Sequence, residues 1–273
     1  MEQEAILQQK MQALKTGTTT CGLACADGVV LASDRRATMG YFIASKDVQK
    51  VFQIDDKIAM TVAGSVADAQ FLVRLLQAEC RLYKLRHGRN MTTKNAASLL
   101  ANMMFQNKFY PYWVQLIVAG FDEKAEVYSL DPLGGVTEEK YTSTGSGSPV
   151  AYGVIENGYK ANASVKDNAP VAAKAIAMAM RRDAATGEYV DVVTVTKSGF
   201  KRFDKGDGVK SEIMLGLDKE HWSFYLDSGG SPIEGHAWTD NGDGTFTARQ
   251  ADRYQFSDLD LYNMGLVPAA DVR

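Results

Sequence analysis

The run from Thr18 to Ser33 leaves a chain few ways to begin folding. Thr18 to Ala26 and Val29 to Ser33 are β-rich stretches on either side of Asp27–Gly28, the strongest short hairpin signal a sequence offers. A second hairpin is expected where Val51 to Ile54 and Lys57 to Val62 flank Asp55–Asp56. Four strands thus come first, and they end at Ala63–Gly64–Ser65.

Helical periodicity takes over next. Ser65 is a good N-cap, and Leu72, Leu76, Cys80 and Tyr83 recur on one face as far as Gly88. Thr92 or Thr93 caps a second helix with Ala96, Leu100, Met103 and Met104 apolar, ending before Pro111; its methionines read as core filler. Strands return at Trp113–Gly120 and Ala125–Leu130, joined by Asp122–Glu123–Lys124, with a further turn at Gly134–Gly135. A helix is expected from about Val150 to Asn157. Another is expected from about Pro170, placed in its first turn, to Arg182, with Ala172, Ile176 and Met180 inward. A strand at Tyr189–Thr196 and a turn at Ser198–Gly199 follow. Strands, two helices, strands, two helices and a strand pack naturally as two sheets with a helix pair outside each. The expected class is α+β, a four-layer α/β/β/α sandwich.

At 273 residues the chain has room for one large domain or two small ones, and 45% hydrophobic content is ample for a core. A net charge of −3 argues against nucleic acid or an anionic membrane as the main partner. No apolar run approaches a membrane span, and Met1 to Lys15 lacks the apolar stretch of a secretion signal. That opening segment reads instead as a short amphipathic helix carrying Ile6, Met11 and Leu14. Cys21, Cys25 and Cys80 read as reduced core thiols of a cytosolic protein, and no metal site is expected. Composition changes near Asp204: residues 204–273 hold 6 basic and 13 acidic residues, a net of −7, against +4 for the 203 before them. Asp204–Lys205–Gly206–Asp207–Gly208 reads as a linker or turn and Asn241–Gly242–Asp243–Gly244 as a hairpin tip. The latter faintly suggests a calcium loop but lacks the ligand positions of an EF-hand.

The chemistry centres on Thr16–Gly17–Thr18–Thr19–Thr20. A threonine hydroxyl needs a base within reach, yet the chain has only His87, His221 and His236 and no Gly-x-Ser-x-Gly elbow. A threonine at a new N-terminus brings its own base, an α-amine with an unperturbed pKa of roughly 7.7–8.0. Gly17 hinders attack on its own carbonyl very little, so Gly17–Thr18 is a plausible self-cleavage bond. Taken singly, the threonines open an ordinary strand, Lys50 is a solvated charge and Asp34 a turn carboxylate.

The series is more specific than its pieces. Thr16 to Thr20, Asp27 to Thr38 (DGVVLASDRRAT), Lys50–Val51–Phe52, Met60 to Gln70 (MTVAGSVADAQ), Gly145–Ser146–Gly147 and Arg182 to Gly187 (RDAATG) closely resemble proteasome β-type subunits of the archaeal and bacterial 20S kind. The resemblance covers about residues 10 to 203 and implies the N-terminal nucleophile hydrolase fold. It implies a threonine endopeptidase, made as a zymogen and working without a cofactor. Thr18 matches the nucleophile, freed by loss of residues 1–17, and Lys50 matches the active-site lysine whose ammonium favours the deprotonated hydroxyl and amine. Asp34 matches that lysine's partner, and Gly64 the donor of the oxyanion-hole N–H. Ser146, Asp183 and Thr186 match the group that orders the Thr18 amine and its water. Ala37, Thr38 and Val62 match positions of the substrate pocket, and Val62 favours cleavage after apolar side chains.

The departures are Thr186, where the family more usually has serine, Cys21 in place of an aliphatic residue, and the acidic segment 204–273. The implied organisation is a propeptide at 1–17, a catalytic domain at 18–203 and an extension at 204–273, either a true appendage or a foreign join. The implied partners are α subunits, other β subunits in a seven-membered ring, an ATPase regulator acting indirectly, and unfolded protein substrates, in the cytoplasm. Other readings are a catalytically silent β subunit that only builds the ring, the simpler bacterial ATP-dependent protease of the same superfamily, and a binding module in the tail. The intact set of Gly17–Thr18, Asp34, Lys50 and Asp183 speaks against silence.

Overall fold

In the computed structural model, which describes residues 17–203, 237–240 and 246–249, β1 (Thr19–Ala24) and β2 (Gly28–Ser33) form the first hairpin. A short pair follows that the sequence reading omits, β3 (Ala37–Met39) and β4 (Phe42–Ser45), turning at Gly40 with φ +62°. A left-handed glycine at the first of two turn residues is the chemistry such hairpins use, but three or four residues per strand carry no readable period. Then come β5 (Val51–Asp55) and β6 (Ile58–Gly64), so among the described residues six strands, not four, precede the helix that opens at Val66.

The first helix, α1 (Val66–His87), has both expected caps: the Ser65 side chain accepts from the Asp68 N–H, and Gly88 closes the end in left-handed geometry at φ +67°. Thr92 is the cap that forms for α2 (Thr93–Gln106). The next strands, β7 (Val114–Phe121) and β8 (Ala125–Leu130), are the expected ones; β9 (Val136–Glu138) and β10 (Tyr141–Gly145) are additional. Helix α3 (Ser148–Gly158) starts just after Gly147. Helix α4 (Val165–Arg182) begins five residues earlier than the sequence suggests. A capping box sets that start: the Ser164 hydroxyl accepts from the Asp167 N–H at 3.3 Å, and the Asp167 carboxylate accepts from the Ser164 N–H at 3.2 Å. Pro170 therefore lies inside the helix and not in its first turn. Strand β11 (Asp191–Thr196) pairs with an unanticipated β12 (Gly199–Phe203).

All pairings are antiparallel. One sheet has the order β10-β1-β2-β11-β12 and the other β5-β6-β7-β8-β9. Strand alternation sorts the apolar residues into layers. Leu23, Val30 and Ala32 face Ile155, Ala172 and Ile176 of α3 and α4. Val29 and Leu31 meet Ala59, Ile117 and Val127 between the sheets. Met60, Leu116 and Val118 lie against Leu72, Leu76 and Leu100 of α1 and α2. Each fully buried leucine contributes about 1.5–3 kcal/mol of transfer free energy. The result is the expected four-layer α/β/β/α sandwich. Between the sheets, the Thr20 hydroxyl bonds Thr61 at 2.9 Å and Thr144 at 2.7 Å, tying β1 to β6 close to the end where β1 begins.

In a separate compact unit, β13 (Ala237–Asp240) and β14 (Phe246–Arg249) pair antiparallel on either side of the expected hairpin tip. The amphipathic helix in Met1–Lys15, the turn at Asp204–Gly208 and the tip at Asn241–Gly244 lie outside the described residues. Among the described residues, no helix is long and apolar enough to cross a membrane.

Candidate active site

Asp34 lies one residue beyond β2, where the chain leaves the sheet, and it is fully buried. Its carboxylate is saturated with donors. Oδ1 accepts from Lys50 Nζ at 2.7 Å and from the Thr19 N–H at 3.0 Å; Oδ2 accepts from the N–H groups of Gly187 at 3.0 Å and Arg36 at 3.1 Å. Four donors from four segments make a buried charge tolerable and hold it in one place. Lys50 stands just before β5 and is also buried, its carbonyl accepting from the Val62 N–H of β6 at 3.0 Å. Burial pushes the lysine below its ordinary range, and the Asp34 carboxylate opposes that shift without cancelling it.

Thr18 immediately precedes β1 and is only 4% exposed. Its hydroxyl donates to the carbonyl oxygen of Gly17 at 2.6 Å, and its backbone N–H donates to Ser146 Oγ at 3.2 Å. Ser146, just past β10, donates to Asp183 Oδ2 in a very short contact. Asp183 is the C-cap residue of α4, and the same carboxylate oxygen accepts from Thr186 Oγ1 at 2.6 Å. Thr186 in turn shares a 2.7 Å hydrogen bond with Thr19 Oγ1, so the hydroxyl kept at this position is fully engaged. Thr18, Asp34, Lys50, Ser146, Asp183 and Thr186 thus belong to one continuous hydrogen-bonded network, with Thr19 as its hinge.

Gly17 is held on two sides. Its N–H donates to Thr38 Oγ1 at 2.9 Å, and a Cβ added to it would stand 1.7 Å from the Cβ of Ala185. No side chain fits there, a stronger reason for glycine than an unhindered carbonyl. Gly64 closes β6 at φ +123°, and a Cβ on it would meet the Trp113 carbonyl oxygen at 2.1 Å. Only glycine can occupy that turn. Of the expected pocket residues, Ala37 and Thr38 lie on β3, while Val62 lies on β6, 8% exposed, within the cluster beneath α1 and α2. Val62 meets the network through its N–H on the Lys50 carbonyl, and Gly64 ends the same strand.

Sequence reasoning passed over three contributors. Thr19 sits in a threonine run, but strand alternation separates its side chain from those of Thr18 and Thr20. The Arg36 guanidinium binds Glu188 Oε1 at 3.0 Å and the Ala184 carbonyl at 2.9 Å, fastening the 183–188 loop over Asp34. The signal for it was the arginine pair after Asp34. The Gly187 N–H, being backbone, had no side-chain signal at all.

A buried hydroxyl next to its own preceding carbonyl, a lysine–aspartate pair one strand away and a serine–aspartate pair at its amide nitrogen are parts suited to acyl transfer. The model of a family described as Proteasome subunit matches residues 14–195. A Methanosarcina mazei protein named Proteasome subunit beta is 53% identical over 201 residues, covering 73% of this chain and 95% of the relative. The protein of the same name from Methanosarcina thermophila gives the same identity and coverage. That from Methanocaldococcus fervens is 50% identical over 191 residues, 69% of this chain and 85% of the relative.

Proposed function

The chain belongs to the proteasome subunit family as a β-type subunit of a 20S core, and on that premise we propose that it is a threonine endopeptidase with Thr18 as nucleophile. The observation that carries this reading is the Thr18 hydroxyl, 2.6 Å from the Gly17 carbonyl oxygen inside the network of Asp34, Lys50, Ser146 and Asp183. In this reading residues 1–17 are a propeptide, 18–203 the catalytic domain and 204–273 an extension outside the chemistry.

Activation comes first. Thr18 Oγ1 attacks the Gly17 carbonyl carbon and the Gly17–Thr18 C–N bond breaks, leaving residues 1–17 as an ester on the hydroxyl. The nitrogen, which takes up the hydroxyl proton as the C–N bond breaks, is then the free Thr18 amine, and water hydrolyses the ester, releasing the propeptide as a carboxylic acid and restoring the Thr18 hydroxyl. In the mature enzyme that amine, through a water, takes the hydroxyl proton as Oγ1 attacks a substrate carbonyl. The Gly64 N–H supports the developing oxyanion. Collapse expels the new amine with a proton, and a second water hydrolyses the acyl ester. The Lys50 ammonium lowers the cost of the deprotonated hydroxyl, Asp34 anchors it, and Ser146, Asp183 and Thr186 orient the amine. Ala37, Thr38 and Val62 shape the subsite for an apolar residue before the cut.

The subunit works in the cytosol within seven-membered β rings beside α rings, taking unfolded chains passed on by an ATPase regulator. Confinement of this kind suits a nonspecific protease, since only threaded chains reach its sites. The test is the intact mass of the chain co-expressed with a matching α subunit. A species beginning at Thr18, abolished by Thr18→Ala, is the expected result. Assembled rings in which the chain still begins at Met1 would overturn it in favour of a structural subunit.

A further inference from the structure

Thr38 has a place in the structure that a pocket-lining role does not explain. Its strand is three residues long, and Thr38 is its only buried member, 6% exposed, between a half-buried Ala37 and an exposed Met39. The pairing of β3 with β4 shifts register between Ala37 and Thr38. Such a bulge re-aims one side chain at the expense of a regular ladder. Here the re-aimed side chain meets the peptide unit before the scissile bond: Thr38 Oγ1 accepts the Gly17 N–H at 2.9 Å.

The bond matters because of what lies on either side of it. Gly17 has a freely rotating backbone, and a loose glycine would let its carbonyl swing away from Thr18. Ala185 presses on one side of its Cα and Thr38 holds its nitrogen, so the carbonyl that accepts the Thr18 hydroxyl at 2.6 Å has little freedom left. Holding reacting atoms in contact is a large source of rate acceleration, and small displacements are costly.

We propose that Thr38 is a positioning residue for self-cleavage: its hydroxyl, aimed by the bulge in β3, clamps the Gly17 N–H and fixes the Gly17 carbonyl over Thr18. This rests on Thr18 being the nucleophile but concerns a different group and a different failure. Thr38 carries no proton in the reaction. It sets the orientation of the bond that is cut.

The experiment follows the mass of the full chain with time, co-expressed with an α subunit, for the wild type, Thr38→Val, Thr38→Ser and Thr18→Ala. Thr38→Val keeps the shape and removes the acceptor. It should slow the appearance of the Thr18-initiated species by about tenfold, the size of one buried hydrogen bond. Thr38→Ser restores the acceptor and should recover the wild-type rate within about twofold, the scale of a change that leaves the bond intact. Cleavage of Thr38→Val at the wild-type rate overturns the proposal. So does a Thr38→Ser chain as slow as Thr38→Val, since the methyl group would then be what matters. If Thr38→Val does not enter rings, Thr38→Ala is read against Thr38→Ser in the same way. A wild-type chain that never loses residues 1–17 refutes the nucleophile assignment itself, a result distinct from either outcome at Thr38.

Discussion

Lys50 and Asp34 form a charge pair that water hardly reaches, and this makes the site sensitive to alkali. Burial holds the lysine below its ordinary value of 10.5. Between the lowered value and 10.5 the folded chain binds fewer protons than the unfolded one, so the penalty for burying the ammonium shrinks as pH rises through that window. Catalysis by the proposed mechanism moves the other way, because it uses the ammonium. Peptide hydrolysis measured against pH should lose activity on an alkaline limb lying below 10.5, and a limb at or above that value would contradict the assignment. At this scale the sequence was legible where chemistry needs a particular side chain: Thr18, Asp34, Lys50, Ser146, Asp183 and Thr186 all fall in the network. It was illegible where chemistry needs a backbone N–H. Gly187 reaches Asp34 across 153 residues with a group that every residue but proline possesses.

Elements were legible in proportion to their length and the sharpness of their ends. Helix α1 announced itself through twenty-two residues, a serine cap and a left-handed glycine. Strands β3, β4 and β9 have three or four residues and no period to detect. In β10, Tyr141–Thr142–Ser143–Thr144–Gly145 has no aliphatic residue, and its hydroxyls are spent on neighbours: Ser143 donates to the Thr20 carbonyl at 2.7 Å and Thr142 shares a 3.1 Å bond with Tyr152 of α3. Strand β12 is an edge, and its Lys201–Arg202 disguises it. The start of α4 lies five residues before Pro170 because the Ser164–Asp167 capping box fixes it there. That box is open to measurement: Ser164→Ala should lower stability by about 1 kcal/mol in chemical denaturation, the usual worth of a side-chain cap. No change would mean that tertiary packing alone sets the helix start.

The whole molecule divides into a body that the family explains and a tail that it does not. The family match stops at residue 195, and the strands of the sandwich continue to Phe203, which packs against the core under α3 and α4. A chain ending at Phe203 keeps every element of the sandwich. It should retain the thermal transition of that domain and still cut at Gly17–Thr18, as read by calorimetry and intact mass; loss of either would give the acidic segment a part in folding. The network around Thr18 has one more consequence. Its members are drawn from residues 17 to 187, from strand ends in both sheets and from the segments before α3 and after α4, so its contacts span long stretches of the chain and close late. A nascent or misassembled chain holds Thr18 but not the company that makes it reactive. On the self-cleavage proposed above, loss of residues 1–17 would work as proofreading: each new amine at Thr18 would be a covalent record that this copy had finished folding before it could act on other proteins.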